Sequence, residues 1–338
     1  MSVDVLASGA VCLGCNVVCD GFVLGCDYRV QTHLHDDHMA DFERSKGLQD
    51  LLMSPESLAL LIAERNADIG YRTNIHAVPR GVTQELQDGS RLTLLSSGHM
   101  LGACQVALEL PSGLRVGYSG DFAWPLKEVI EVDELVVDST YGSPESVRKY
   151  SQTEAEECLL SLVCKRLRYG SVHVRGHRGT IERVLQVLGG NIDVPIVASR
   201  RLIREVEVYR KYGLAAEDLV PIDSAAGAAA IKSRSYVRLY SKGDEWESEL
   251  IEGTTVTISA YMADRTHPLT IYSDRAYKVS LSNHADFNGT LEYVEATGAS
   301  RVVTDNARNR GVELALAIRK RLGIEAEPST NGDGPRWY

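Results

Sequence analysis

Short apolar runs broken by polar turns fill the first part of the chain, and longer runs at helical spacing take over after Gly142. Residues 1–32 read as short strands with turns at Gly14 and Asp20-Gly21, and Gly21 to Val30 reads as an extended segment. Ser54-Pro55-Glu56 opens a helix running through Leu58, Leu61 and Ile62, with Ser54 as cap and proline at the first helical position. Residues 75–96 alternate as strands around a turn at Asp88-Gly89, and Gln105 to Leu110 is a further strand. Beyond Gly142 the pattern predicts helix 151–168 behind a Ser151…Glu154 capping box, strand 171–174, helix 180–188, strand 194–198 and helix 203–212 ended by Gly213. Residues 224–232 are alanine-rich without being a repeat. Strands 256–260, 277–281 and 301–304 and helices 288–296 and 311–322 complete the series. Pro328 to Tyr338, with Trp337 and Tyr338 at its end, reads as a loose tail. Alternating strands and helices imply a parallel sheet with crossover helices, so the expected fold class is α/β.

Several of these strands end alike. Ser97-Gly98-His99-Met100-Leu101-Gly102, Ser119-Gly120-Asp121-Phe122 and Asp138-Ser139-Thr140-Tyr141-Gly142 each place a polar side chain in a small-residue turn, and Ser282-Asn283-His284-Ala285-Asp286-Phe287 does so once more. Polar groups at successive strand ends are how α/β enzymes assemble sites.

Composition excludes more than it identifies. At 338 residues, 44% hydrophobic and 24% charged, the chain has the make-up of an ordinary globular protein with room for one large or two ordinary domains. No apolar run approaches the roughly 20 residues of a membrane span. Met1-Ser2-Val3-Asp4 lacks the basic and apolar regions of a signal peptide, so the expected location is the cytoplasm, with no membrane partner. A net charge of −10 argues against a protein that coats nucleic acid, yet leaves room for an enzyme with a local basic groove. The seven cysteines are an odd number, against a secreted disulfide framework. Cys12, Cys15, Cys19 and Cys26 crowd the first strands. A zinc or iron–sulfur site there lacks a matching second Cys pair, and small buried residues in strands are the plainer reading.

One stretch changes the picture. Thr32-His33-Leu34-His35-Asp36-Asp37-His38 packs three histidines and two aspartates into six residues. In an extended segment His33 and His35 point the same way, and Asp37 and His38, past the bend, can face a second point. A polar surface loop has no need of such density. Imidazole and carboxylate together suit zinc or another first-row metal.

His33-Leu34-His35-Asp36-Asp37-His38, His99 in Gly-His-Met-Leu-Gly and Asp121 in Ser-Gly-Asp resemble the metallo-β-lactamase superfamily. Asp138-Ser139-Thr140-Tyr141-Gly142 and Ser282-Asn283-His284-Ala285-Asp286-Phe287 resemble motifs A and B of its β-CASP branch, the nucleic-acid-cleaving members, in particular the short DNA ligase-associated exonucleases and the archaeal RNA 3′-end processing factors. The resemblance implies an αβ/βα sandwich with an inserted α/β domain. The expected parts are 1–142 and 278–330 for the metallo-β-lactamase domain, 143–277 for the β-CASP domain and 331–338 for a flexible tail. It also implies two zinc ions, with manganese as an alternative. His33, His35 and His99 hold one, Asp37 and His38 the other, and Asp121 bridges them, lowering the pKa of a bridging water and clamping phosphate oxygens. RNA-processing members carry a later histidine, where this chain reads Val303-Thr304-Asp305-Asn306; Asp305 is the candidate replacement ligand.

By the same resemblance His284 is the general acid and Asp138 the carboxylate that orients a histidine, with a local turn cap as its alternative role. Phosphate contacts are expected from Arg178, Gly179 and Thr180, between a strand and a helix, and from Ser282. His76, His173, His177 and His267 read as surface or structural. The implied function is a nuclease cutting single-stranded RNA or DNA, exo- or endonucleolytically, to 5′-phosphate and 3′-hydroxyl products. A homodimer or a processing or repair complex is left open. Two rivals remain: a thioester or lactam hydrolase, which has no use for the extra domain, and an inactive binding subunit, which has no reason to keep the ligands.

Overall fold

The computed structural model describes residues 2–65, 69–214, 218–241, 243–244, 252–260, 264–307 and 310–329. Trp337, Tyr338 and the expected tail 331–338 lie outside these residues. The chain divides into two compact units, 1–147 with 284–338, and 148–283.

In the first unit β1 (Val3–Val5), β2 (Val11–Leu13), β3 (Val17–Cys19), β4 (Tyr28–Val30), β5 (Asp50–Met53) and β6 (Ile75–Ala77) form one sheet in sequence order. It is antiparallel up to β3 and parallel from β3 onward. The extended reading of Gly21 to Val30 holds only for β4. The Cys26 N–H turns back to the Val23 carbonyl, and the Asp27 N–H is taken by Asn16 Oδ1, so the segment before Tyr28 is a turn and Cys26 is not on a strand. Helix α1 (Pro55–Arg65) follows β5, its Ser57 N–H donating to Ser54 Oγ at 3.1 Å, the cap expected from the sequence.

A second sheet starts with β7 (Gln84–Glu85), β8 (Arg91–Ser96), β9 (Cys104–Glu109), β10 (Arg115–Tyr118) and β11 (Glu134–Val137). The chain then enters the inserted unit. Its elements are α2 (Gln152–Leu167), β12 (Val172–Arg175), α3 (Thr180–Leu188), β13 (Ile196–Ala198), α4 (Arg200–Lys211), β14 (Val220–Pro221), α5 (Ala225–Ser233), β15 (Val237–Tyr240), β16 (Thr254–Ser259), β17 (Leu269–Ile271) and β18 (Ala276–Ser280). They make a seven-stranded sheet in the order β14-β13-β15-β12-β16-β18-β17, parallel except for β17. Strand β18 pairs along its whole length with β16, and the compact unit that holds both spans 148–283. Helix α4 starts before the expected residue 203 because the Leu202 N–H caps on Ser199. The alanine-rich stretch is helix α5, capped by Ser224.

On return, α6 (Phe287–Ala296), β19 (Arg301–Thr304), α7 (Gly311–Leu322) and β20 (Glu325–Pro328) complete the first unit, whose second sheet runs β20-β19-β11-β10-β9-β8-β7. Pairing with β19 makes Pro328 the end of a strand, not the start of a loose tail.

The inner faces of the two sheets share one core. Val5, Val11, Leu13 and Val30 meet Leu92, Leu94, Val106 and Val116, all fully buried. Each such side chain contributes about 1.5–3 kcal/mol on transfer from water. The outer face of the second sheet, with Leu135, Val137 and Val302, is covered by Phe287, Val294, Leu314 and Ile318 of α6 and α7. The fold is an α/β sandwich. Within the second sheet β10, β11 and β19 are parallel, and β8 runs with β10 because both are antiparallel to β9. The segments after β8, β10 and β11 therefore leave the sheet at one edge.

Candidate metal and catalytic centre

At that edge the predicted residues of the first unit converge. After β4 the chain carries His33 and His35 in extended backbone and then winds one short 3-10 turn, Asp36–His38. His33 Nε2 lies 3.2 Å from His35 Nδ1, and His99 Nε2 lies 3.1 Å from that same His35 atom. Asp121 Oδ2 stands 3.5 Å from His33 Nε2 and 3.7 Å from His99 Nε2. Zinc–ligand bonds of about 2.0–2.1 Å in a tetrahedron require ligand atoms about 3.3–3.4 Å apart. These four separations, 3.1 to 3.7 Å, bracket that spacing, and the four side chains are one of the groups able to hold a metal ion.

The other oxygen of Asp121 faces a different histidine. Its Oδ1 is 3.3 Å from His38 Nε2, which also lies 3.6 Å from Asp37 Oδ2. Asp121 divides its two oxygens between two sets of imidazoles, the geometry of a bridging carboxylate. The Asp37 side chain is 66% exposed and stands at the rim. Burial would raise the Asp121 pKa, but His38 and His33 outweigh it and hold the carboxylate well below its ordinary range. His33 is pushed well below its ordinary value, by burial first and then by His38, and so stays neutral, as a ligand must be.

Local chemistry explains the turn that presents Asp121. Gly120 has φ +55°, and a Cβ there would sit 2.6 Å from the Cys104 carbonyl oxygen, so only glycine fits between Ser119 and Asp121.

Beneath the histidine loop is a buried polar support that the sequence reading missed. Asp20, read only as a turn residue, is fully buried. It accepts from Thr32 N–H at 2.8 Å, Thr32 Oγ1 at 2.6 Å and Gln31 Nε2 at 3.2 Å, and its Oδ2 lies 2.7 Å from His38 Nδ1. A carboxylate on Nδ1 leaves Nε2 as the lone-pair face toward Asp121. Arg29, also fully buried, donates to the Ala40 and His38 carbonyls and to Gln31 Oε1, tying both ends of the loop together. Burial lowers its pKa to about 10, offset in part by Asp20. The available signal was a charged residue at a core position of a strand in Tyr28-Arg29-Val30, and an Asp-Gly step directly behind an apolar strand.

His284 joins the cluster from the start of the return segment. Its Nδ1 lies 3.3 Å from Asp138 Oδ2, and its Nε2 3.8 Å from Asp121 Oδ2. Burial would lower its pKa, but the Asp138 hydrogen bond and the Asp121 charge more than reverse this and raise it. The other Asp138 oxygen, Oδ1, accepts the Thr140 N–H and hydroxyl.

Other candidates are placed elsewhere. Asp305 is buried, its Oδ1 accepts the Ala307 N–H at 2.9 Å, and it joins none of the ligand groups among the described residues. In the inserted unit Arg178 donates to Glu205 and the Gly179 N–H to Glu182, so both are engaged inside the protein; Thr180 opens α3 and Ser282 follows β18. His173 is packed between Ser171 and Tyr240, and burial lowers its pKa to about 4. The thiols of Cys12, Cys19 and Cys26 are raised by burial, and no cysteine joins a ligand group among the described residues.

No protein-family model matches the chain. It is 34% identical over 137 residues to an uncharacterized protein in the lig 3′ region of Acidianus ambivalens, a match covering 40% of this chain and 96% of that one. It is 25% identical over 307 residues to a probable DNA ligase of Opitutus terrae, covering 87% of this chain and 28% of that one. An RNase J-like protein of Methanocaldococcus jannaschii is 24% identical over 174 residues, or 46% of this chain and 41% of that one. The chain therefore spans less than half of these two named relatives. A crystal structure of an Enterococcus faecalis protein of unknown function superposes with a TM-score of 0.65 at 11% identity, over 90% of this chain and 80% of that one, which shows the shared fold alone. Among the described residues no helix is long and apolar enough to cross a membrane.

Proposed function

Since the chain belongs to the β-CASP branch of the metallo-β-lactamase superfamily, we propose that it is a metal-dependent nuclease hydrolysing phosphodiester bonds of single-stranded RNA or DNA. The observation that carries this reading is the ligand-shell spacing of His33, His35, His99 and Asp121, with the His284–Asp138 pair beside it. Relatives named as a DNA ligase and as RNase J-like support nucleic acid as the substrate class.

Zinc is the proposed metal and manganese its substitute. The proposed ligands are His33, His35 and His99 for one ion and Asp37 and His38 for a second, with Asp121 shared. Divalent cations bound there supply water activation at neutral pH and neutralise charge on the phosphate. The remaining work belongs to the side chains. Asp138 holds the Nδ1 face of His284 and keeps Nε2 turned toward the cluster. From Nε2 the imidazole delivers a proton to the departing sugar oxygen. Asp20 and Arg29 keep the histidine loop in its ligating shape.

The test is cleavage of end-labelled single-stranded RNA and DNA of identical sequence by the full chain, with zinc or manganese, beside Asp121→Ala. Cleavage that the variant and a chelator both abolish supports the reading, and the faster strand identifies the substrate. No cleavage of either strand, with metal bound and a thioester or lactam hydrolysed instead, overturns it.

A further inference from the structure

The chain's acidic balance hides a local concentration of arginine in the inserted unit. A cleft of about 690 Å³ opens at the end of its sheet where the central strands β12 and β16 begin. Arg166, Arg234 and Arg275 come to it from three separate elements, and Tyr169 stands at its margin, 75% exposed. Arg166 and Arg234 lie within basic–aromatic runs, Lys165-Arg166-Leu167-Arg168-Tyr169 and Lys232-Ser233-Arg234-Ser235-Tyr236.

The plain explanation for basic residues at helix ends is the macrodipole, since α2 and α5 both finish here. It accounts for Arg166 and Arg234 but not for Arg275, which sits in the turn between β17 and β18. Pairing with acids does not account for them either. Arg234 meets Glu252 at 2.9 Å, but both side chains are three-quarters exposed, and such pairs are worth little. Arg275 is exposed and has no ion pair among the described residues. Arg166 is fixed rather than floppy. It donates to Thr254 Oγ1 at 3.2 Å and to the Asp274 carbonyl, and lies over the rings of Tyr169 and Tyr277, each 5.3 Å away. The floor is backbone. Gly253 has φ +129°, and a Cβ there would meet the Ser171 carbonyl at 2.4 Å, so the wall between the arginines is kept free of side chain.

We propose that this cleft binds the sugar–phosphate backbone of a single-stranded nucleic acid. Arg234 and Arg275 hold successive phosphates, the fixed Arg166 sets the path between them, and a base stacks on Tyr169. The grip lies in the inserted unit and uses none of the metal-site residues. It rests on the nuclease reading for the nature of the ligand, and it adds a strand-holding site that makes affinity depend on length.

The test is equilibrium binding of a fluorescein-labelled 15-nucleotide phosphorothioate strand, RNA and DNA in turn, to the full metal-loaded chain across a salt series. Arg234→Gln with Arg275→Gln is expected to weaken binding and to lower the slope of log K against log salt by about 1.4, two phosphates at about 0.7 each. Tyr169→Ala is expected to weaken it about tenfold. Arg91→Gln, an exposed arginine outside the cleft, is the control for charge alone. Affinity and slope unchanged in the double variant, or lowered as much by the control, overturn the proposal, as does wild-type protein that binds neither strand. Arginine-dependent binding without any cleavage would sink the nuclease reading and leave the cleft standing; cleavage with arginine-independent binding would do the reverse.

Discussion

Replacing Asp20 by asparagine tests whether the histidine loop is held ready from beneath. Asp20 Oδ2 lies 2.7 Å from His38 Nδ1, and Oδ1 accepts the Thr32 N–H at 2.8 Å. Asparagine can keep its oxygen toward the Thr32 N–H, but its amide then donates to His38 Nδ1. That moves the imidazole proton to Nε2, the atom 3.3 Å from Asp121 Oδ1, and a protonated nitrogen cannot ligate a metal. Loss of such an outer carboxylate costs about 10- to 100-fold in metal affinity, or roughly 1.4–2.7 kcal/mol. Asp20→Ala is a different experiment. It leaves the Thr32 N–H and the Thr32 hydroxyl buried without this acceptor, at about 1–3 kcal/mol each, while the Gln31 amide keeps the His33 and His38 carbonyls, so it is expected to unfold at lower temperature even without metal. The assay is zinc titration of the metal-free chain against a chromophoric chelator, with melting curves in chelator as the folding control. The expected result is an Asp20→Asn chain that melts within a few degrees of wild type but binds the His38 ion at least tenfold more weakly. Affinities within twofold of wild type for every bound ion would refute the reasoning.

Three further outcomes follow from individual contacts. The Glu182 carboxyl, raised from 4.5 to about 7 by burial and by Glu205, is protonated in the folded chain where the unfolded chain has lost its proton. Stability is therefore present in full below pH 4.5 and declines by about 3 kcal/mol as pH rises to 7; Glu182→Gln removes the decline, and denaturant curves that stay parallel for the two chains between pH 5 and 8 would disprove this. His284→Ala is expected to lower kcat about 10²- to 10⁴-fold with bound metal unchanged by elemental analysis, and a loss of metal instead would make His284 a ligand rather than the acid. Gly120→Ala is expected to cost at least about 1–2 kcal/mol from its left-handed backbone alone, and more from the approach to the Cys104 carbonyl, with metal content falling as Asp121 shifts; an unchanged melting temperature would count against it.

Periodicity along the chain determined most of the elements: α3 and α7 run between the residues that their apolar spacing marks, and the capping box at Ser151 and Glu154 forms. The spacing H-x-H-x-D-H likewise determined that His33 and His35 share a direction, since extended backbone repeats every two residues. Local signals were weaker where neighbours decide. Helix α5 is mostly alanine and shows no polar face to count. Strand β20 exists because β19 offers it an edge. Gly21 to Cys26 is extended by composition but bent by hydrogen bonds to Val23 and Asn16.

The site divides in the same way. Ligand types are chemical and could be read directly: imidazoles and carboxylates ending strands. Their partners depend on which strand ends meet, and that is set by sheet order. Only the packed structure brings Asp121 between His33 and His38, sets Asp138 against His284 across 146 residues of sequence, and buries Asp20 and Arg29 under a loop they support. It also turns Arg178 and Gly179 inward to Glu205 and Glu182, while gathering Arg166, Arg234 and Arg275 around one cleft. Charge and donor type are properties of single residues and are legible along the chain. Distance is a property of pairs, and pairs far apart along the chain are joined only by the tertiary fold.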